Sequence, residues 1–241
     1  MSNNNGCTII SIEGNIGAGK STIVSALEEL VKNNMNNYIA QKKVVFLQEP
    51  VDTWLSIKDK NGESILSKFY KNQSQFAFSF QMMAYISRQS LLNKTMRENP
   101  NSIIITERCI HTDKNVFAKM LYDSDKISKI EFEIYSKWFN EFAENTKYQG
   151  HIYINVDYNT SSRRINKRDR EGENIPIEYL KNCEKYHNNW LRSLNNSFYI
   201  DMNTDTVIND TPVVIKECKN IIRIIKDIVI DKNFNSSRDL C

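Results

Sequence analysis

Short apolar runs rich in β-branched residues alternate along the chain with longer stretches of helical period. The runs predict five β-strands, at 8–12, 43–47, 102–106, 151–156 and 198–200. Strands that alternate with helices indicate a parallel, doubly wound α/β sheet. Segment 51–65 shows neither period and is predicted to be a loop, whereas 65–98 predicts two helices that meet near Asn72.

The composition is that of one packed domain. With 241 residues, 40% of them hydrophobic and 25% charged, the chain is predicted to form a single domain over 1–241. No stretch approaches the roughly 18 apolar residues of a membrane span, and no signal or transit peptide is recognisable, so a cytoplasmic location is expected. The net charge of +3 gives no general argument for nucleic acid, and the scattered cysteines predict reduced thiols without a zinc site.

Segment 14–22 carries the pattern G-x-x-x-x-G-K-[ST] between a predicted strand and a predicted helix, which is the context that a phosphate-binding loop requires. Three of the seven glycines lie in it, and glycine lets backbone N–H groups face phosphate oxygens at the helix N-terminus. We predict that Lys20 reaches the terminal phosphates of the bound ligand and that the Ser21 hydroxyl holds Mg²⁺. The predicted ATP contacts of this loop are Gly14, Asn15, Ile16, Gly17, Ala18, Gly19, Lys20, Ser21 and Thr22.

Charged residues follow two of the predicted strands. Glu49 stands directly before Pro50, which cannot continue a strand, and Glu107 and Arg108 follow the third strand. Ligands of open α/β sheets bind at the carboxyl ends of the strands, so we expect these side chains at the active site. The alternative for Glu49 is an ordinary solvated turn residue.

Helices supply further polar candidates. Gln81 and Arg88 are seven residues apart and so share a helix face, which is unusual for a core helix. Asp113 begins the next predicted helix and is equally explained as its N-cap. The basic helix that ends in 163–170 is followed by acidic residues, Gly and Pro, the composition of a mobile flap. Its arginines suit a lid over a transferring phosphoryl group, although a solvated face or a nucleic-acid patch would also explain them.

Taken together, these residues resemble the deoxynucleoside kinase family over nearly the whole chain. Five motifs carry the resemblance, in the order 14–22, then Glu49, Pro50, Val51 with Trp54, then Phe80, Gln81 with Arg88, then Glu107, Arg108 with Asp113 and Phe117, and finally 164–176. The resemblance implies a P-loop kinase fold with an Arg-rich lid at about 163–176. It also implies transfer of the γ-phosphoryl group of ATP to the 5′-hydroxyl of a deoxynucleoside in nucleotide salvage, with Mg²⁺ as cofactor.

The resemblance assigns roles to single residues. Glu49 resembles the general base that takes the proton of the 5′-hydroxyl, Arg108 the arginine that steadies it, and Glu107 the acidic residue near Mg²⁺. The implied catalytic set is Glu49, Arg108, Lys20, Arg168 and Arg170, while Arg164 and Asp205 add to ATP binding. Tyr70 and Glu173 resemble the pair that grips the sugar 3′-hydroxyl, with Glu171 as the alternative acid. The implied contacts to the base and its surroundings are Val51, Trp54, Leu66, Phe69, Phe80, Gln81, Arg88, Asp113 and Phe117.

Arg88 and Asp113 indicate which base the substrate carries. Family members that accept purines or cytosine resemble this chain in having both, which favours deoxyadenosine, deoxyguanosine or deoxycytidine over thymidine. Departures from the family pattern are Cys109, His111, Thr112 and Lys114. Members of the family are usually dimers through their long helices, so a homodimer is expected; the surfaces of Met82, Met83, Tyr85 and Trp138 suit that role and would equally suit a core.

Three other functions fit the sequence less well. A nucleoside monophosphate kinase needs arginines near the second strand to grip a substrate phosphate, where this chain has Glu49. A catalytically silent P-loop subunit should have lost Lys20, Glu49 or Arg108, and all are present. Nucleic-acid binding through 163–170 requires basic residues beyond a single helix.

Overall fold

The computed structural model describes residues 5–143, 146–168, 175–203 and 211–238. The strands are β1 Thr8–Gly14, β2 Tyr38–Ile39, β3 Lys42–Leu47, β4 Ile103–Glu107, β5 Gly150–Asn155 and β6 Ser197–Asp201. The helices are α1 Lys20–Met35, α2 Val51–Ser56, α3 Ile65–Lys71, α4 Gln73–Glu98, α5 Ile110–Thr112, α6 Lys119–Asp123, α7 Lys129–Phe142, α8 Tyr158–Arg168, α9 Ile177–Arg192 and α10 Thr211–Arg238. A π-helical turn, Asp113–Ala118, joins α5 to α6.

The described strands form a single sheet in the order β2-β3-β4-β1-β5-β6. The five neighbouring strands β3, β4, β1, β5 and β6 run parallel, as the alternation of strands and helices predicts. The predicted number of five strands was nevertheless wrong, because β2 pairs antiparallel with β3 and adds a sixth. Ala40 and Gln41 make the tight turn between them with positive φ values of 48° and 63°, a geometry that usually requires Asn or Gly.

Helices cover both faces of the sheet, so the central strand β1 is buried along its whole length. Ile10 and Ile12 pack on one face against apolar residues of α1 and α10. Ile9 packs on the other face with Tyr85 of α4 and Phe139 of α7. A third apolar cluster, built from α2, α3, α4, the π-helical turn and α9, forms the wall of the cavity described below.

Local structure departs from the prediction at two further points. Residues 51–65 were expected to form a loop, but Val51–Ser56 forms the short helix α2, which directs Trp54 inward. The predicted break of the long helical stretch near Asn72 is confirmed, since α3 ends at Lys71 and α4 begins at Gln73. Across the parts of the chain that the structure describes, none of the helices combines the length and apolarity needed to cross a membrane.

Candidate active site

A cavity of about 840 Å³ opens where β1, β3 and β4 end. It collects residues that lie far apart in the sequence, because the carboxyl ends of parallel strands meet at one edge of the sheet. The predicted site residues that line it are Ile16, Gly17, Gly19, Lys20, Ser21, Thr22, Glu49, Val51, Trp54, Leu66, Phe69, Tyr70, Phe80, Gln81, Arg88, Glu107, Arg108, Asp113, Phe117, Arg164 and Arg168. Gly14, at the end of β1, and the buried Asn15 and Ala18 belong to the same segment but do not line the cavity. Arg170, Glu171, Glu173 and Asp205 lie outside the described residues.

The glycine-rich loop between β1 and α1 depends on its glycines. Gly17 has a φ of +78°, and a Cβ atom there would stand 2.6 Å from the carbonyl oxygen of Ser161 on α8. Asn15 holds the loop from below, because its Nδ2 donates to the carbonyl oxygen of Leu180 at 2.9 Å. The loop is therefore fixed between α8 and α9 with its helix N-terminus at the cavity.

Lys20 is buried at the floor of the cavity, where its Nζ donates to the carbonyl oxygen of Asn15 at 2.9 Å. Burial and the nearby Arg108 charge lower the pKa of Lys20 to about 8, although Glu49 and Glu107 act in the opposite direction. A phosphate group close to Nζ would add further negative charge and favour the charged ammonium form.

The side chains of Ser21 and Glu107 meet at the start of α1. The Ser21 hydroxyl donates to Glu107 Oε1 at 2.7 Å. A hydroxyl and a carboxylate are the hard oxygen donors that Mg²⁺ prefers, and Mg²⁺ usually completes its shell with water and substrate phosphates. The donor set of these two residues therefore fits the cation that the sequence implies.

Two arginines converge on the Glu49 carboxylate. Arg108 Nε lies 2.7 Å from Glu49 Oε1, and the Arg88 NH2 group lies 3.3 Å from the same oxygen. Burial alone would raise the pKa of Glu49, but the charges of Arg108, Arg88 and Lys20 outweigh it and hold the pKa well below its usual range. The carboxylate is therefore ionised at neutral pH.

Arg88 links Glu49 to the end of α5. Its Nε donates to Asp113 Oδ2 at 2.9 Å, and its NH1 group donates to the carbonyl oxygen of Glu107 at 3.0 Å. Arg88 and Asp113 are both almost fully buried, so each supplies the charge that the other needs away from water. Asp113 thus acts as an ion-pair partner and makes no side-chain cap for a helix.

The apolar end of the cavity surrounds one buried amide. Gln81 is 2% exposed, and its Oε1 has no hydrogen-bond partner among the described residues. Trp54 and Phe80 pack edge to face beside it, with ring centroids 5.5 Å apart, and Trp54 is fixed by a 2.9 Å hydrogen bond to Ser87. Because a buried amide oxygen without a partner is costly, Gln81 is positioned to pair with a polar ligand held between aromatic walls.

The arginines of α8 form the opposite side. Arg164 donates from NH1 to the carbonyl oxygen of Ala18 and from NH2 to that of Met202, at 3.1 and 3.0 Å. Arg163 and Arg168 also line the cavity. The positive charge of α8 thus faces the glycine-rich loop, where the phosphates of a nucleotide would lie.

Several lining residues were missed from the sequence, namely Gln48, Asp52, Leu55 and Tyr179. His187 was missed as well, although its Nε2 lies 3.1 Å from Arg108 NH1. The four lining residues could not be predicted because they belong to no recognised motif. His187 could not be predicted because its partner Arg108 lies 79 residues away in the sequence. The only available signal was the helical period that places His187 on the buried side of α9.

A second polar cluster lies in the core outside the cavity lining. Ligand-type atoms of Glu13, Cys109 and His151 stand within 4.8 Å of one another. Thr112 Oγ1 donates to Glu13 Oε2 at 2.7 Å, and His151 Nδ1 lies 2.8 Å from the Ser11 hydroxyl. These contacts describe a buried hydrogen-bonded network. Cys109, where the family pattern usually has serine, belongs to it.

The α/β fold, the glycine-rich loop and the carboxylate held between arginines indicate a phosphotransferase. A family model for deoxynucleoside kinases matches residues 10–229. Human deoxycytidine kinase is 32% identical over 212 residues, which cover 78% of each chain. A probable deoxycytidine kinase of fowlpox virus is 35% identical over 190 residues, 77% of this chain and 72% of the viral one, and deoxycytidine kinase 2 of Gallus gallus is 32% identical over 203 residues, 76% and 73%.

The chain belongs to the deoxynucleoside kinase family and is an ATP-dependent deoxynucleoside kinase. Its substrates are accordingly a nucleoside and a nucleotide. The resemblance seen in the sequence motifs is thereby confirmed. The two alternative functions, a nucleoside monophosphate kinase and a catalytically silent binding subunit, are therefore not supported.

Proposed function

We propose that this kinase phosphorylates the 5′-hydroxyl of deoxycytidine, deoxyadenosine or deoxyguanosine in nucleotide salvage. The Glu49 carboxylate carries this proposal, since it lies between the glycine-rich loop and the aromatic pocket on one continuous cavity. The proposed enzyme is a single domain over 1–241 with a P-loop at 14–22. Its lid, at about 163–176, includes the cavity-lining Arg164 and Arg168, as well as the undescribed Arg170.

In the proposed mechanism, Glu49 accepts the proton of the 5′-hydroxyl. Its low pKa makes it a weak base, which suits phosphoryl transfer because the loose transition state makes little bond to the attacking oxygen. Arg108 orients the carboxylate and, with Lys20 and the α8 arginines, stabilises charge on the transferring group. Ser21 and Glu107 would hold Mg²⁺, which neutralises phosphate charge when bound.

The sugar and the base occupy the apolar end in this proposal. Tyr70 lines the cavity. It binds the sugar 3′-hydroxyl in this proposal with the help of Glu173, which lies outside the described residues. Gln81 pairs with the edge of the base, and Phe117 and Trp54 enclose its faces. The Arg88–Asp113 pair fills the space that the 5-methyl group of thymine would need, which disfavours thymidine. The matched relatives named deoxycytidine kinases add support for deoxycytidine.

The substrate proposal predicts a ranking of nucleosides. With Mg-ATP as donor, kcat/KM should be highest for deoxycytidine or a purine deoxynucleoside and lowest for thymidine. Phosphorylated product is measured for all four deoxynucleosides under identical conditions, with Lys20→Met protein as the blank for contaminating kinases. A leading kcat/KM for thymidine would contradict the argument from Arg88 and Asp113.

ATP binding should depend on pH through Lys20. Since the pKa of Lys20 is about 8 and bound phosphates favour the charged ammonium, raising the pH from 7 to 9 removes a proton that ATP binding must restore. The Kd for Mg-ATP, measured by calorimetry, is expected to rise about tenfold over this range. Lys20→Arg keeps its charge throughout and is the matched control. Equal pH dependence in both proteins would contradict the prediction.

We also propose a homodimer formed through α7 and α4. Apolar side chains repeat every four residues along α7 and are exposed, at Ile130, Ile134, Trp138 and Phe142. Ile86 on α4, the helix that packs against α7, is also half-exposed. Met82 and Met83 are half-buried, whereas Tyr85 packs against Tyr135 and Phe139 and belongs to the core. A face of this apolar character is typical of protein–protein contacts.

The dimer proposal is tested by placing charge on that face. The Ile134→Glu/Trp138→Glu protein is expected to be monomeric by light scattering, because two buried carboxylates without partners would oppose association. Ile57→Glu, at an exposed isoleucine outside both helices, is the control and should remain dimeric. A monomeric wild-type protein, or an unaltered mass for the double variant, would rule the interface out.

A further inference from the structure

His187 on α9 is fully buried and reaches the charged centre of the site. Its Nε2 lies 3.1 Å from Arg108 NH1, and its Nδ1 lies 2.7 Å from the carbonyl oxygen of Cys183. A guanidinium group has only N–H donors, so Nε2 must accept. A carbonyl oxygen only accepts, so Nδ1 must carry the proton. One neutral tautomer satisfies both contacts, and burial together with the Arg108 charge keeps the pKa of His187 well below its usual value.

Arg108 needs such a contact because its own backbone does not favour the observed position. Its φ is +64°, a left-handed value that is unusual for a residue other than glycine, and it persists only where the surroundings impose it. The NH1 group that contacts His187 also donates to the carbonyl oxygen of Gly14 at 2.9 Å. These two acceptors hold one side of the guanidinium, while its Nε faces Glu49.

The imidazole ring itself packs against two aromatic rings. Tyr153 stacks on it with ring centroids 6.0 Å apart, and Phe117 meets it edge to face at 5.9 Å. The Arg108 guanidinium carbon lies 4.8 Å from the centre of the Phe117 ring. Ring, guanidinium and aromatic neighbours therefore form one packed unit that leaves the histidine little freedom.

We propose that His187 is a positioning residue that fixes the Arg108 side chain so that its Nε presents a hydrogen bond to the Glu49 carboxylate. The inference rests on the roles proposed above for Glu49 and Arg108. A neutral acceptor suits this position, because a carboxylate there would compete with Glu49 for the guanidinium and a second cation would repel it. Loss of the acceptor leaves Glu49 in the cavity but frees the arginine that orients it.

Steady-state kinetics of two His187 variants test the acceptor directly. His187→Phe keeps the ring and removes the acceptor, so kcat should fall about 10- to 100-fold while the KM values for nucleoside and ATP stay nearly constant. His187→Gln restores an acceptor in reach of Arg108 and should recover part of that loss. His151→Phe removes another buried, hydrogen-bonded imidazole and should leave kcat unchanged. Equal kcat for the Phe and Gln variants would overturn the proposal.

A double-mutant cycle separates this inference from the proposed function. If His187 acts through Arg108, His187→Phe should cause no further fall in kcat when it is added to Arg108→Lys. Full and additive losses would show that His187 acts independently and would overturn the proposal. If Arg108→Lys alone leaves kcat unchanged, the proposed role of Arg108 fails and the inference fails with it. A fall in kcat for Arg108→Lys but none for His187→Phe refutes only the inference.

One measurement needs no substitution at His187. Nitrogen NMR of the wild-type protein should show His187 Nδ1 protonated and Nε2 unprotonated at neutral pH, and Arg108→Lys should shift the Nε2 resonance. A charged imidazolium, or a proton on Nε2, would overturn the proposal even if the His187 variants fail to fold.

Discussion

Glu49→Gln is expected to lower kcat about 10²- to 10⁴-fold, the range for loss of a general base. Glutamine matches glutamate in size and its carbonyl oxygen can still accept from Arg108, so the KM values should change little. The substitution removes the one group in the cavity that we propose to take the 5′-hydroxyl proton. Burst and steady-state assays with Mg-ATP and the preferred deoxynucleoside measure the effect on the chemical step.

The neighbouring carboxylate provides a matched control for this prediction. Asp52 also lines the cavity, but it is exposed on α2 and, among the described residues, the ion pairs of Arg88 and Arg108 involve Glu49 and Asp113 and not Asp52. Asp52→Asn should therefore retain most of the wild-type kcat. If Glu49→Gln stays within tenfold of wild type, or if Asp52→Asn loses as much activity, Glu49 is not the base.

Arg88→Met is expected to destabilise the fold by about 3–5 kcal/mol, because it leaves the buried Asp113 carboxylate without its partner. The Glu49 carboxylate loses one of its two arginines in the same step. The free energy of unfolding is measured by urea titration at neutral pH. Lys119→Met breaks an exposed ion pair with Asp123 and, as the control, should cost less than about 1 kcal/mol.

The double variant Arg88→Met/Asp113→Leu separates the charge from the packing. Replacing both partners of a buried pair by apolar residues is often neutral for stability, so most of the loss should be recovered. Removal of the pair should also raise kcat/KM for thymidine relative to deoxycytidine, because apolar side chains then replace two charged groups beside the proposed base site and a methyl group can pack against them. A double variant as unstable as Arg88→Met would show that volume, and not the unpaired charge, causes the loss.

The sequence predicts the parallel strands and the cavity residues because both leave local signals. β-branched runs separated by helices locate β1, β3, β4, β5 and β6 along the chain, and the glycine pattern locates the loop before α1. The carboxyl ends of those strands then place Glu49, Glu107 and Arg108 at one edge without any structural information. These residues line the same cavity in the structure.

Other features leave no such signal. A strand of two residues such as β2 has no periodicity, and its turn uses Ala40 and Gln41 in a conformation that neither favours. The left-handed φ of Arg108 and the π-helical turn at Asp113 depend on tertiary packing and not on local propensity. The tautomer of His187 likewise depends on Arg108, which lies 79 residues away in the sequence, as well as on Cys183 of the same helix.

The continuity of the cavity has a consequence for inhibitor design. The loop lysine and serine, Lys20 and Ser21, line the same cavity as Gln81 and Phe117, with no wall of protein between them. Under the proposed function, one molecule that joins a deoxynucleoside to adenosine through a short chain of phosphates is expected to occupy both ends at once. Its second end binds as an intramolecular step, which raises affinity by about 10²- to 10⁴-fold over either half when the bridge length matches the span. The number of phosphates that gives the highest affinity would then measure the distance between the bound donor and acceptor.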